Sequence, residues 1–253
     1  MKMKICVFDT ETTDLNKPFV YNIGFCIADT DTEEILVKED WVVEQVWHNL
    51  PLFETAYYAE KRPIYISRMK GKSVRMEKYG FITQRMARLF KAFNVECAFA
   101  YNSPFDVKVF DHNCNWFKCQ NPFDNIPVFD IRGYVHHKIA FTDEYQKFCD
   151  ENMRYTEAGN YSTTAETVYQ FLAKDIDFKE EHTALSDSLI EFAILSKCVD
   201  MGAEWGKEYK VYSSVPNKAR KELRVIMGED EETFSYNKIR ISKKFNETKI
   251  VLK

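Results

Sequence analysis

The sequence predicts an α/β domain, a mixed sheet covered on both faces by helices, and three observations lead there. Three strand-length apolar stretches open the chain. Shorter apolar runs then alternate with segments of helical periodicity. Hydrophobic residues make up 45% of the 253, enough to bury a full core. The character of the chain changes near Gly202, so the organisation is drawn as a main domain over 1–202 and a small basic C-terminal extension over 203–253.

The elements follow in order. "KICVFDT", "FVYNIGFCIAD" and "EEILVKEDWVV" are rich in β-branched and aromatic residues and separated by the polar breaks "TTDLNKP" and "DTDTEE", which reads as a three-stranded meander. A less regular section from Trp47 to Ser73 holds a short helix around "PLFETAYYAEK" and then a basic loop. Met76, Tyr79, Ile82, Met86, Leu89, Phe90 and Phe93 keep the three-to-four spacing of an amphipathic helix. "ECAFAYN" reads as a buried strand, and "SPFDVKVFDHNC" as a helix with Ser103 at the N-cap and Pro104 at the first helical position. "IPVFDI" completes a sheet of five strands. "STTAETVYQFLA" carries its own cap candidates, and "TALSDSLIEFAILSKCV" is a long amphipathic helix. Beyond Gly202, "PNKARKELRVIMG" suggests a basic helix and "NKIRISKKFNETKIVLK" a hairpin.

Net charge is −4, but the sum hides an asymmetry. Lys207 to Lys253 carries 12 Lys or Arg against 7 Asp or Glu, a local +5 that leaves −9 on the remainder. Lys61 to Lys78 holds 7 basic residues against the single acid Glu77, with Tyr57, Tyr58 and Tyr65 adjacent, a mixture of cations and rings suited to stacking on bases. The plain alternative is a solvated loop and helix face. Seven cysteines, an odd number scattered in apolar contexts, read as reduced thiols rather than a disulfide framework. His112, Cys114 and Cys119 match no common zinc spacing. No run approaches the ~18 apolar residues of a membrane span, and "MKMKICVFDTET" places acids where a signal peptide keeps its apolar region, so the expectation is a soluble, cytoplasmic protein with no membrane partner. Abundant Phe, Tyr and Lys with few Gly suit coding from an AT-rich genome such as a phage's.

The chemistry starts at Asp9 and Glu11. Residues two apart on a strand share a face, so both acids aim at one point at the carboxyl end of the first strand. Two anions held that close raise each other's pKa unless a cation sits between them. Read alone, such a pair is more simply a turn cap and a solvated acid. It has company in "YNSPFD", where Asn102 ends a strand and Asp106 lies one turn into the next helix, and in "HTALSD". His182 and Asp187 are five residues apart, about 140° around a continuous helix, so they converge only if the helix starts at a Thr183 cap and His182 lies in the approach to it.

Together "DTET", Asn102-x-x-x-Asp106 and His182-x-Ala184-x-x-Asp187 resemble the three motifs of the DEDDh, or DnaQ-like, 3′-to-5′ exonuclease family, in the family's order and over residues 4 to 200. The resemblance implies a ribonuclease H-like sheet of three antiparallel strands followed by two parallel ones. It also implies a two-metal phosphodiesterase site loaded with Mg²⁺ or Mn²⁺. By that likeness Asp9 bridges both ions, Glu11 and Asp187 bind the one with the attacking water, Asp106 supports the other, and His182 takes the water's proton. Hard carboxylate oxygens suit those ions, and a histidine near its ordinary pKa of about 6.5 suits that base. The likeness further gives Leu15 as a wedge against the terminal base and backbone groups around Thr10 to Thr12 as holders of the 3′-hydroxyl. Asn102 has a competing role as a strand-end hydrogen bonder. Asp14 stands where the family more often has Gly, which puts the shape of that turn in question.

The expected activity is metal-dependent exonucleolytic hydrolysis from the 3′ end of nucleic acid, single-stranded DNA favoured. An RNA-specific member of the same family is the alternative within enzymes, and a non-catalytic nucleic-acid-binding scaffold using the basic segments is the alternative outside them. Neither a polymerase partner nor an oligomeric state is legible.

Overall fold

The computed structural model describes residues 3–14 and 16–217. The chain runs through β1 (Lys4–Thr12), β2 (Val20–Asp29), β3 (Ile35–Val43), α1 (Glu44–Trp47), α2 (Leu50–Phe53), a 3₁₀ turn (Ala59–Lys61), α3 (Arg62–Lys70) and β4 (Arg75–Glu77). It continues with α4 (Tyr79–Phe93), β5 (Val95–Ala100), α5 (Ser103–Phe117), β6 (Val128–Asp130), α6 (Ile131–Val135), a π turn (His136–Ala140), α7 (Asp143–Glu151), α8 (Ala165–Ala173) and α9 (Ala184–Asp200).

The strands form one sheet in the order β4-β3-β2-β1-β5-β6. β1 pairs antiparallel with β2 and β2 with β3, while β5 runs parallel to β1 and β6 parallel to β5. This is the meander followed by two parallel strands that the sequence predicts, with one addition. Arg75–Glu77 pairs parallel with Trp41–Val43 at the far edge, making six strands rather than five. Three residues flanked by charges carry no strand periodicity, and Met76, counted into the following helix by its spacing, belongs to this edge strand instead.

Side chains of β1 alternate between two cores. Cys6 and Phe8 pack with Ile82 and Met86 of α4 and Phe110 of α5, whereas Ile5 and Val7 pack with Tyr134 of α6, Tyr145 of α7, Val168 of α8 and Ile194 of α9. Burying both faces explains why β1 and β2 read as near-continuous apolar runs. The seven thiols are free, six of them buried.

Two other expectations are corrected. Much of the basic stretch after Lys61 is the helix α3, which turns Tyr65 inward to complete burial, so that ring is closed to bases while Tyr57 stands 85% exposed. The helix after β5 has Asn102, not Ser103, at its N-cap, with φ +63°, so Ser103 and Pro104 fill its first two positions.

Residues 203–217 lie along the main body. Tyr134 donates to the Glu204 carbonyl at 3.1 Å, Tyr212 N donates to His136 Nδ1 at 2.9 Å, and Tyr161 N donates to the Val215 carbonyl at 2.9 Å. Gly133 permits this, because a Cβ there would lie 2.4 Å from the Tyr209 carbonyl oxygen. The basic helix and hairpin expected further on fall outside the described residues.

Candidate active site

The alternation along β1 assigns the acids to their faces. Asp9 and Glu11 continue the Ile5–Val7 series toward α9, and Thr10 continues the Cys6–Phe8 series toward α5. β5 is parallel to β1, so α5 starts beside the carboxyl end of β1 and delivers Asp106 there. Thr10 Oγ1 donates to Asp106 Oδ1 at 2.6 Å in a buried bond.

The fourth acid arrives on α9, which lies directly on β2. Gly24, paired with Asp9 across the β1–β2 ladder, makes this possible: a Cβ there would stand 1.9 Å from Leu185 N and 2.1 Å from the Ala184 carbonyl carbon. Next along, Asn22 is fully buried opposite Glu11 and uses its whole amide. Its Oδ1 accepts from Ala184 N and from the Tyr65 hydroxyl, both at 2.9 Å, and its Nδ2 donates to Asp40 Oδ1 at 2.6 Å and the Trp41 carbonyl at 3.0 Å. Asn22 thus satisfies one of the orphan amides at the start of α9 from another element. Thr183 occupies the cap position, but its hydroxyl accepts from Arg68 Nη1 at 3.0 Å and makes no cap bond. Immediately before it, His182 has φ +51°, a left-handed turn that swings its ring back over the helix start.

One carboxylate oxygen from each of Asp9, Glu11 and Asp187 lies within 4.8 Å of the others. Burial raises the pKa of Asp9 well above the carboxylate range, and the charges of Glu191, Asp106, Glu11 and Asp187 push it further. Glu11 is raised by burial and by Asp187, against the opposing pull of Lys61 and a hydrogen bond from the Tyr21 hydroxyl at 3.5 Å. Burial carries Asp106 and Asp187 up to about 7, with Thr10 opposing at Asp106 and Lys61 at Asp187. Asp187 Oδ1 is buried with no hydrogen-bond partner among the described residues. Such an orphaned acceptor among oxygen donors fits hard divalent cations.

His182 joins this group through its Nδ1, 3.9 Å from Asp187 Oδ2 and 3.8 Å from Glu180 Oε2. Burial and then Lys61 lower its pKa. Glu166 and Glu180 converge with it, one ligand atom from each of the three lying within 4.8 Å of the others.

The structure therefore gathers Asp9, Glu11 and Asp187, sets His182 beside Asp187, and holds Asp106 against Thr10. Thr12 ends β1 half-buried, and Leu15 lies outside the described residues. Asn102 sits at the exposed end of β5, where its Oδ1 accepts from Arg132 Nη1 at 3.1 Å and its N–H donates to Asp130 Oδ1 at 3.0 Å. Asp14 is not in the left-handed region, and its Oδ1 accepts from Asn16 N at 2.6 Å and Lys17 N at 2.9 Å, which closes the turn.

Sequence reasoning misses Glu191, buried on α9 and the first-ranked charge acting on Asp9, although its position four residues after Asp187 puts both on one helix face. It also misses Asn22, which has no motif around it, and it reads Tyr58 and Lys61 as a surface for bases, whereas both lie against His182.

No protein-family model matches the sequence, and no curated protein does. Solved structures share its fold. The nuclease domain of 3′hExo, a DEDDh family member bound to rAMP, aligns with TM-score 0.56 at 14% identity, covering 85% of this chain and 98% of that one. A 3′-exonuclease solved for 3′-end-specific recognition of histone mRNA stem-loop aligns with TM-score 0.51 at 14% identity, covering 80% and 84%. E. coli exonuclease I in complex with a dT13 oligonucleotide aligns with TM-score 0.50 at 15% identity, covering 77% of this chain but 40% of the other, so the chain spans well under half of that enzyme. At these identities the likeness is one of fold, a ribonuclease H-like mixed sheet flanked by helices.

Proposed function

We propose that this chain is a metal-dependent 3′-to-5′ exonuclease that hydrolyses the terminal phosphodiester of single-stranded nucleic acid, with DNA the favoured substrate. The observation that carries the reading is the convergence of Asp9, Glu11 and Asp187 within 4.8 Å, one oxygen of Asp187 orphaned, with His182 alongside. As charged groups they are tolerable only with cations among them, and without cations burial holds them toward the protonated form.

Asp9, Glu11 and Asp187 would hold one ion, and Asp9 with Asp106 a second. When bound, Mg²⁺ or Mn²⁺ supplies positive charge at the attacking and leaving oxygens of an in-line displacement at phosphorus. His182 takes the proton of the attacking water. Its lowered pKa keeps the imidazole neutral near pH 7, able to accept, and the Glu166 charge favours the imidazolium that forms. The new P–O bond forms as the bond to the 3′-oxygen breaks, and that oxygen leaves as the hydroxyl of the shortened strand. Thr10 holds the Asp106 carboxylate in one rotamer, and the backbone at Thr10 to Thr12 with Leu15 and Asn102 would receive the terminal nucleotide.

RNA is the second reading, since similar folds are solved both bound to rAMP and bound to a dT13 oligonucleotide. Hydrolysis of 3′- and 5′-labelled DNA and RNA strands with Mg²⁺ or Mn²⁺ tests both. Metal-dependent laddering from the 3′ end, abolished in Asp9→Ala and His182→Ala, is expected. No cleavage of either polymer overturns the proposal in favour of a nucleic-acid-binding scaffold.

A further inference from the structure

His182 carries a burden unusual for a side chain, since its backbone is left-handed and its ring makes no hydrogen bond among the described residues, its Nδ1 coming no nearer than 3.8 Å to the Glu180 carboxyl. What holds it comes from the other side of the site, from the turn that leads into α3. The Tyr58 ring lies parallel to the imidazole, with centroids 4.5 Å apart and an interplanar angle of 12°. One helical turn on, Lys61 Nζ stands 4.2 Å from the centre of the Tyr58 ring and donates to the carbonyls of Glu181 and of His182, the latter at 3.4 Å. The same turn therefore grips His182 twice, at its ring and at its backbone. Arg68, farther along α3, extends the grip by donating to Glu181 Oε1 at 2.5 Å and to the Thr183 hydroxyl.

The chemistry of these contacts is directional. Tyr58 presents a ring face, which fixes the imidazole plane but leaves its edge free for a proton transfer. Lys61 fixes the peptide that sets the left-handed turn, and its charge over the Tyr58 ring ties the two anchors together. A left-handed non-glycine residue is strained and persists only where its surroundings over-determine it.

We infer that Tyr58 and Lys61 are positioning residues for His182, holding the imidazole in line with the attacking water. The inference rests on the exonuclease reading and adds to it two residues on the β3–β4 connection. A general base must sit within hydrogen-bond reach of its proton, and a displacement of about 1 Å costs on the order of 10²-fold in rate.

The test is steady-state hydrolysis of labelled DNA and RNA strands by the full chain and its variants Tyr58→Leu, Tyr58→Phe and Lys61→Met, with melting temperature and Mn²⁺ binding measured alongside. Tyr58→Leu is expected to lower kcat roughly 30- to 100-fold with KM changed by less than about threefold, Mn²⁺ affinity preserved and the fold intact. Tyr58→Phe, which keeps the stacking face, should restore most of kcat, and Lys61→Met should fall between. If the wild type is active and Tyr58→Leu keeps or raises kcat, the positioning role is overturned and the exonuclease reading stands. The same holds if the loss lies wholly in KM, or if Tyr58→Phe is as impaired as Tyr58→Leu. A wild type that cleaves neither polymer overturns the exonuclease reading and this inference with it.

Discussion

Replacing Gly24 by alanine offers a direct check on how the site is assembled. The added Cβ would lie 1.9 Å from Leu185 N and 2.4 Å from Leu185 Cα, where ordinary contact begins at 3.4 Å. Because the obstacles are backbone atoms in the first turn of α9, no side-chain rotation relieves the overlap. The helix start must withdraw by about 1.5 Å, breaking the Asn22 bond to Ala184 and drawing Asp187 away from Asp9 and Glu11. Overpacking of this kind costs about 1–3 kcal/mol, so the melting temperature should fall by roughly 2–12 °C in a chain of this size. Activity should fall by on the order of 10²-fold or more, since the displacement exceeds the ~1 Å that already costs that much. Thermal melts and kcat/KM on a labelled strand, run on the same preparations, separate the two effects. A Gly24→Ala protein with wild-type melting and wild-type kcat/KM would refute the claim that close approach of α9 to β2 builds the site.

Three further outcomes are expected. Asp9→Asn should raise the melting temperature of the metal-free protein, by removing a buried acid whose ionisation is penalised by burial and by four neighbouring acids, and at the same time abolish hydrolysis and stabilisation by Mg²⁺; a lower metal-free melting temperature would contradict the electrostatic account. The second concerns pH. Asp106 and Asp187 have folded-state pKa values near 7, above the ordinary carboxylate value, so the folded state holds protons that the unfolded state releases, and metal-free stability falls as pH rises from about 4 to about 7. Divalent ions displace those protons, so Mg²⁺ should raise the melting temperature more at about pH 8 than at about pH 5.5, and an equal shift at both would count against the assignment. Finally, Asn22→Ala strands the Ala184 amide and the Tyr65 hydroxyl in the core; denaturant melts should show a loss of about 2–4 kcal/mol, and a loss below about 1 kcal/mol would show that water or a shifted neighbour replaces the amide.

What can be read from the sequence is what local rules encode. Period-two spacing puts Asp9 and Glu11 on one face, strand-then-helix order puts Asp106 near their level, and the Thr183 boundary lets His182 fold back on Asp187. Each holds because it depends on a few neighbouring residues. Glu191 is lost because a glutamate in an amphipathic helix usually meets water, and only the seating of α9 on β1 and β2 turns it inward. Tyr58 and Lys61 stand out as a cation and a ring, but their seat against His182 is lost because that partner lies over a hundred residues away, across a contact with no sequence signal. Tyr65 misleads for a related reason. Among basic neighbours it suggests a surface ring, yet it spans to Asn22 in the core. The edge strand β4 is three residues long, too short for alternation to register.

The crowding of Asp9, Glu11, Asp106, Asp187 and Glu191 also sets a sequence of events. A nucleic-acid strand brings its own negative charge to the site, and the acids repel it until cations are in place. On the proposed exonuclease reading, ion loading would therefore precede engagement of the 3′ end. A molecule starved of divalent ions would then leave strand ends free for other proteins instead of sitting on them unproductively, so the level of the ion would govern occupancy of the substrate as well as the speed of its removal.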